Sequence, residues 1–168
     1  RKNFGPYTAG FIKIPYNDTE ALEKALKSSK NIAGFLVEPI QGEAGVYVPN
    51  DGYLAKALEL CKENNVLFIA DEVQTGVYRT GEFLASNLYE IEPDIITLAK
   101  GIGGGVPMGA VMTKHKDIWT AGDHGSTFGG NYLVTAAALE VLDILENLKD
   151  SGTLDETIIY FTKKLNDI

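Results

Sequence analysis

Three charged side chains in this sequence follow short apolar runs, and together they could do chemistry. They are Glu38, Asp71 and Lys100. Apolar runs of this length predict buried strands. In open α/β sheets, ligands bind beyond the carboxyl ends of the strands. We therefore expect the three side chains to line one shared pocket.

Lys100 and Asp71 form the pair with the clearest chemical use. A desolvated lysine loses its proton more easily and can form a Schiff base with an aldehyde. Pyridoxal phosphate needs such a lysine, and it also needs a carboxylate on its pyridinium nitrogen to keep the ring protonated as an electron sink. Asp71 could be that carboxylate. The simpler alternative is a plain Asp71–Lys100 salt bridge at the edge of a sheet.

A run of glycines follows Lys100, at Gly101 and at 103–105. Its spacing matches neither the P-loop, in which the lysine follows the glycines, nor the Gly-x-Gly-x-x-Gly fingerprint of dinucleotide sites. The run therefore does not indicate nucleotide binding. Glycines at these positions would let the backbone pass close to a flat ligand.

The segment 124–131 precedes the longest predicted helix and carries the hydroxyls of Ser126 and Thr127. Hydroxyls and free backbone amides near a helix start can bind an anion. An ordinary capped loop is the alternative. The sequence has no His and Cys cluster for a metal and no Gly-x-Ser-x-Gly motif of a serine hydrolase.

The elements that must position these residues alternate between strands and helices. Predicted strands cover 32–37, 66–70, 94–99 and 109–113, and 10–16 alternates weakly and could be a further strand. Predicted helices begin after Asp18 and cover 52–65, 82–89, 131–148 and 154–165. The apolar side of the 131–148 helix is expected to consist of Leu133, Val134, Ala137, Val141, Leu142 and Leu145. This alternation favours a single α/β segment with a mainly parallel sheet.

Composition limits the classes of function. The chain has 168 residues, of which 45% are hydrophobic and 23% charged, as is typical of one globular domain. Its net charge of -8 disfavours nucleic-acid binding, and no apolar run is long enough to span a bilayer. Cys61 is the only cysteine, which excludes an internal disulfide and fits a reduced, cytoplasmic setting.

Longer strings around the candidate residues carry a family resemblance. They are 37–43, 68–76 with 79–81, 93–101 and 124–131. In order and in detail they resemble the signatures of class III pyridoxal-phosphate aminotransferases, and among these they are most similar to the acetylornithine and ornithine aminotransferases. The run 103–110, together with 122–124, is more similar to the acetylornithine type. The resemblance covers nearly the whole chain. It implies the three-layer α/β large domain of fold-type I pyridoxal-phosphate transferases.

The resemblance also implies a role for each residue near the cofactor. Lys100 would bind pyridoxal phosphate as a Schiff base and would move the proton between the substrate carbon and the cofactor. Asp71 would pair with the pyridine nitrogen, Val73 would pack on one ring face, and Gln74 would bond the ring hydroxyl. Strand alternation agrees, because it places Asp71 and Val73 on one side and Glu72 on the other.

Further roles concern the substrate and a second subunit. Ser126 and Thr127 would reach the cofactor phosphate of the neighbouring subunit, so a homodimer is implied, and Ser126 would also lie near the substrate. Glu43 would face the substrate and help to set which amine reacts. Glu38 would support the floor of the pocket. No metal ion is implied.

The sequence departs from the family pattern in several ways. Tyr78 stands where relatives often have glycine, and Tyr132 stands where they often have proline. No string matches the family's upstream phosphate-binding loop, the aromatic residue that stacks on the ring, or the carboxylate-binding arginine of the small domain. We therefore expect residues 1–168 to be one part of the large domain, with the N-terminal part and the C-terminal small domain outside it.

The implied reaction moves an amino group from N-acetylornithine or ornithine to 2-oxoglutarate by a ping-pong mechanism, within arginine biosynthesis. An ω-aminotransferase of the 4-aminobutyrate type is the alternative with the same fold. Two alternatives of other kinds remain: a folded segment that is inactive by itself, and an α/β ligand-binding module.

Overall fold

The strands form one sheet in the order in which they occur in the sequence. The computed structural model describes residues 5–168. Its strands are β1 (Gly34–Val37), β2 (Leu67–Asp71), β3 (Ile95–Leu98) and β4 (Ala110–Thr113). β1, β2 and β3 are parallel, and β4 is antiparallel to β3. The predicted α/β fold with a mainly parallel sheet is therefore confirmed.

Helices occur where the periodicity predicts them, with small shifts at their ends, except that the predicted helix 82–89 is reduced to the four residues 85–88. They are α1 (Thr19–Ser28), α2 (Tyr53–Glu63), α3 (Ala85–Leu88), α4 (Tyr132–Asp150) and α5 (Thr153–Asn166). A 3₁₀ turn, Lys100–Gly103, separates β3 from β4. Asp18 caps α1, because its Oδ1 accepts a hydrogen bond from the Ala21 amide at 2.8 Å.

One face of the sheet is covered by helices. α1 and α2 pack over β1 and β2, with Leu22, Leu54 and Phe68 among the buried side chains. α4 packs against the same face further along the sheet, where Ala138 lies in a cluster with Leu98. Ile96 contacts both clusters, so the two cores are continuous across β3.

The opposite face of the sheet is open within residues 5–168. Leu36, Ile69 and Ile95 share this face through the strand register, and Val111 joins them beside Thr97. Leu36 is 56% exposed. The expectation that β1 is buried is therefore wrong, because helices cover only one side of it. The described residues form two of the three expected layers.

Two local predictions also fail for physical reasons. The segment 10–16 is irregular, since the described residues place no strand beside it, although Ile14 and Tyr16 still pack on the core. On α4, Leu133 is exposed, whereas Val134 and Ala138 are buried. These two residues are four apart and therefore lie on one side of the helix, and Leu133 is turned away from that side.

Cys61 lies in the core and forms no disulfide. Burial, with a smaller contribution from the charge of Asp94, raises the pKa of its thiol from 9.0 to about 12. Because the thiolate is the reactive form, Cys61 is inert near neutral pH. No helix in the described part of the chain is long and apolar enough to cross a membrane.

Tyr132 is the first residue of α4, a position that suits proline. Its side chain is 95% exposed, and its amide donates no hydrogen bond within residues 5–168. Asn131 before it has φ -66° and ψ 158°, the conformation that precedes proline comfortably. We expect Tyr132→Pro to raise the free energy of unfolding by about 0.4–1 kcal/mol, measured by urea denaturation, because it restricts the unfolded chain.

Thr135→Pro is the matched control within the same helix turn. The Thr135 amide donates to the Asn131 carbonyl at 3.1 Å, a bond that proline removes. We expect this control to lose about 3 kcal/mol. If Tyr132→Pro were destabilised as much as the control, Tyr132 would not be the first residue of the helix.

Candidate active site

The carboxyl ends of β1, β2 and β3 lie at one edge of the sheet because the three strands are parallel. Glu38 directly follows β1, Asp71 is the last residue of β2, and Lys100 lies two residues after β3. The sheet thus brings the three charged residues to one edge, as their spacing predicts.

Lys100 contacts two side chains that come from other loops. Its Nζ donates to Gln74 Oε1, and it lies 3.3 Å from Glu43 Oε1. The lysine side chain is 46% exposed, so within residues 5–168 the amine is not desolvated. The alternative of an Asp71–Lys100 salt bridge is wrong, since Lys100 pairs with Glu43 instead. The cause is a change of direction after β3, where Lys100 has φ +49°.

Among the described residues, one carboxylate oxygen of Asp71 accepts hydrogen bonds and the other accepts none. Its Oδ1 accepts from the Val73 amide at 3.1 Å and from Thr97 Oγ1 at 3.2 Å. Its Oδ2 accepts no hydrogen bond from any residue in the described range. Val73, which the resemblance places against the cofactor ring, is partly exposed directly after this turn.

Two hydrogen bonds join the segments 71–74 and 97–100 at both ends. One connects Asp71 with Thr97, and the other connects Gln74 with Lys100. The first and last residues of each segment are three positions apart, so they are separated by at most about 11 Å. A single small, flat ligand can therefore meet the free oxygen of Asp71 and the amine of Lys100 together.

Glu43 lies in a short hairpin. The backbones of Gln41 and Tyr47 exchange two hydrogen bonds of 3.0 and 3.2 Å, which close the hairpin around 42–46. The Glu43 side chain is 82% exposed. Its carboxylate therefore approaches Lys100 from the solvent side of the sheet edge.

Gly42 makes room for the contact between Gln74 and Lys100. A Cβ at position 42 would collide with the side-chain amide of Gln74. The Gly42 amide also donates to Glu38 Oε2 at 3.2 Å, which anchors the hairpin at the end of β1. Support of the pocket floor by Glu38, which the resemblance implies, stays a prediction.

Glu72 is fully buried on the other side of β2 from Asp71. Its carboxylate accepts from the amides of Ala85 and Ser86 at 2.9 and 2.7 Å, and from the hydroxyls of Ser86 and Thr75. These bonds tie the turn after β2 to the start of α3. They hold in place the backbone that carries Val73 and Gln74.

A strained turn lies beside Lys100. Val77 and Tyr78 have φ values of +57° and +62°, in the left-handed region that favours glycine. Tyr78 is the position where relatives often have glycine, and its ring packs on Phe83. A Cβ at Gly101, which follows Lys100, would be in ordinary van der Waals contact with Val77. Unfavourable backbone conformations of this kind often occur at functional sites.

Ser126 and Thr127 lie on the exposed loop before α4. Ser126 Oγ accepts from the Gly129 amide at 2.8 Å. Across residues 5–168, neither hydroxyl bonds to the residues at the sheet edge. The start of α4 is capped by Asn131 Oδ1, which accepts from Leu133 and Val134. Asn131 therefore caps two of the amides at the helix start, whereas the Tyr132 amide has no hydrogen-bond partner among residues 5–168.

Two residues of this site were not predicted from the sequence. Thr97 is the polar residue in the otherwise apolar β3, and that contrast is the signal that could have identified it. Glu72 shows no such signal, because a carboxylate after a strand usually faces water. The described part of the chain contains no group of His, Cys, Asp and Glu side chains that could hold a metal ion.

Comparison with known proteins gives this arrangement a context. A family model described as aminotransferase class-III matches residues 1–168. The ornithine aminotransferase of Oceanobacillus iheyensis is 45% identical over an alignment covering 99% of this chain and 42% of that protein. The acetylornithine aminotransferase of Wolinella succinogenes is 51% identical, covering 96% of this chain and 40% of that protein.

A solved structure agrees with the sequence comparison. The ornithine aminotransferase of Toxoplasma gondii superposes with a TM-score of 0.83 at 52% identity, covering 92% of this chain and 36% of that chain. That structure shows partial occupancy of pyridoxal phosphate at its active site. The likeness confirms the fold of the fold-type I pyridoxal-phosphate enzymes. The chain spans about two fifths of the length of the relatives it matches.

Proposed function

The chain belongs to the class III aminotransferases, and from this we propose that the whole protein moves an amino group from ornithine or N-acetylornithine to 2-oxoglutarate. The cofactor of the family is pyridoxal phosphate. The observation that carries the proposal is the pair of linked segments that present the Lys100 amine and the free Asp71 oxygen at one edge of the sheet.

The residues at the sheet edge fit pyridoxal phosphate. The cofactor offers an aldehyde, a ring nitrogen that must hold a proton, and a ring hydroxyl. A partly exposed lysine amine suits the aldehyde, and the free Oδ2 of Asp71 suits the protonated nitrogen. The Gln74 amide beside Lys100 suits the hydroxyl. When bound, the cofactor supplies an electron sink for negative charge on the substrate carbon.

Lys100 has two tasks in the proposed reaction. Its Nζ would hold the cofactor by condensing with the aldehyde, with release of water, and the same nitrogen would hold or release the proton that moves at the substrate carbon. The Lys100 backbone lies in the left-handed region, with φ +49°. The turn aims the amine at Gln74 and Glu43 rather than along the strand.

Asp71 and Glu43 bring negative charge to opposite parts of the site. Asp71 Oδ2 would keep the proton on the ring nitrogen, while Val73 packs beside the ring and Gln74 orients it. Glu43 would attract a cationic amine toward Lys100, because opposite charges a few ångströms apart attract even near a protein surface. This is how Glu43 would help to select the amine that reacts.

Ser126 and Thr127 are proposed to serve a neighbouring subunit of a homodimer. Both are exposed on the loop before α4. In the part of the chain that the structure describes, neither is hydrogen-bonded to Lys100, Gln74 or Glu43. In the dimer, their hydroxyls would bind the phosphate of the partner's cofactor, with Ser126 also near the substrate. The proposed setting is arginine biosynthesis in the cytoplasm.

Amine specificity tests the proposed function directly. The whole protein is mixed with pyridoxal phosphate, 2-oxoglutarate and one of ornithine, N-acetylornithine or 4-aminobutyrate, and glutamate is measured. We expect kcat/KM for one of the first two amines to exceed that for 4-aminobutyrate by about tenfold or more. Parallel lines in double-reciprocal plots would agree with a ping-pong mechanism.

Each contrary result of this assay has a distinct meaning. A higher kcat/KM for 4-aminobutyrate would replace the substrate proposal, and no glutamate from any amine would refute the aminotransferase proposal. Residues 1–168 tested alone are expected to be inactive, because the open site leaves Lys100 and Glu43 in contact with water. Turnover by that segment would refute the proposal that it needs the rest of the protein.

A further inference from the structure

We propose that Thr97 is a positioning residue that fixes the Asp71 carboxylate for the ring nitrogen of the cofactor. The inference rests on the proposed function. It concerns a residue that makes no direct contact with the reacting atoms and acts through Asp71.

The register of the sheet places the two residues side by side. Asp71 and Thr97 are Cα partners in the parallel β2–β3 pair, so their side chains lie on the same face. The Thr97 carbonyl also accepts from the Glu72 amide at 3.0 Å, which continues the ladder one residue beyond β2. Thr97 therefore holds the end of β2 with its backbone and the Asp71 side chain with its hydroxyl.

The two carboxylate oxygens of Asp71 differ in their hydrogen bonds. Oδ1 accepts from Thr97 Oγ1 at 3.2 Å and from the Val73 amide at 3.1 Å, whereas Oδ2 has no partner among the residues that the structure describes. Hydrogen bonds to a charged acceptor are stronger than neutral ones. Two of them on one oxygen restrict the rotation of the carboxylate and leave Oδ2 available to a ligand.

The two donors are not equivalent. The Val73 amide belongs to the same turn as Asp71 and would follow it if the turn moved. Thr97 belongs to the neighbouring strand, whose position is set by pairing with both β2 and β4. The threonine hydroxyl therefore ties Asp71 to the sheet itself. Its β-branched side chain also has a restricted χ1 angle, which fixes the direction of the hydroxyl.

Thr97→Val removes the hydroxyl with little change in shape and tests the proposal in the whole protein. With ring-labelled cofactor, the ¹⁵N chemical shift of the ring nitrogen reports its protonation without any substrate turnover. We expect the signal of Thr97→Val to move toward the unprotonated value and kcat to fall about tenfold with KM changed less than about threefold. Thr97→Ser, which restores the donor, is expected to recover both.

Thr113→Val is the matched control on the same face. Thr113 Oγ1 donates to the Asp94 carbonyl across the same sheet at 2.9 Å, at the end away from Asp71. This variant loses that bond and the one that Thr113 Oγ1 accepts from the His115 amide at 3.2 Å. It is nevertheless expected to keep the ¹⁵N signal and kcat of the unmodified protein, because both bonds lie away from Asp71.

The outcomes separate this inference from the proposed function. The unmodified protein is expected to give the ¹⁵N chemical shift of a protonated ring nitrogen. If Thr97→Val then gives the same chemical shift and the same kcat, the positioning role of Thr97 is overturned and the proposed function stands. Equal losses in Thr97→Val, Thr97→Ser and Thr113→Val would also overturn it, by showing general weakening of the sheet. An unmodified protein without a bound, protonated cofactor would refute the proposed function as well.

Discussion

Replacing Lys100 by arginine is expected to lower kcat/KM for the preferred amine by at least about 10⁴-fold while the protein stays folded. Arginine keeps a positive charge beside Glu43, but it forms no Schiff base. The variant therefore loses both covalent binding and proton transfer at Nζ. Turnover is measured with saturating 2-oxoglutarate, and covalent binding is measured by mass after borohydride reduction with the cofactor.

Arginine is the most suitable replacement because of the left-handed backbone conformation at residue 100. At φ +49° lysine and arginine meet the same steric restriction, so we expect the free energy of unfolding to change by less than about 0.5 kcal/mol. Lys62→Arg, on an exposed part of α2, is the matched control and should keep full turnover and one adduct at Lys100. Turnover of Lys100→Arg within about tenfold of the unmodified protein, or an adduct at a different lysine, would show that Lys100 is not the reactive amine.

Replacing Glu72 by glutamine is expected to lower the free energy of unfolding by about 3 kcal/mol. The fully buried carboxylate accepts from two amides and two hydroxyls. A glutamine NH₂ would point a donor at donors, so at least one amide of Ala85 or Ser86 would lose its partner. The midpoint and slope of urea denaturation, followed by circular dichroism, give the change.

Glu82→Gln is the matched control for the loss of charge. Glu82 pairs with Lys149 at 2.9 Å, but both side chains are partly exposed to water. Ion pairs of this kind contribute little, so we expect a change below about 1 kcal/mol. If Glu72→Gln cost no more than Glu82→Gln, the four hydrogen bonds would not be what secures the turn after β2.

The parallel strands were predictable because each is a local pattern with a clear end. β1, β2 and β3 are short apolar runs separated by helical segments long enough for a crossover, which is the kind of connection that parallel pairing requires. The segment 10–16 has similar alternation but remains irregular. A strand depends on a neighbour for its hydrogen bonds, and local alternation does not reveal whether one is present.

The site was predictable in its residue types but not in its contacts. The spacing brings Asp71 and Lys100 to one edge, yet it does not reveal the left-handed turn that directs Lys100 to Glu43 and Gln74. The Thr97–Asp71 hydrogen bond depends on the register of two strands that are 26 residues apart at these positions. Register is a property of the assembled sheet, so a single sequence does not reveal this bond.

The alternation along β2 has a practical consequence for protein engineering. Phe68, Ala70 and Glu72 are buried on the helix side, whereas Ile69 and Asp71 face the open side of the sheet. A combinatorial library that keeps the even-numbered positions and varies Ile69, together with Val73 beyond the strand, would change the surroundings of the reacting groups without emptying the core. Catalytic properties and folding could then be selected separately from one short stretch of the gene.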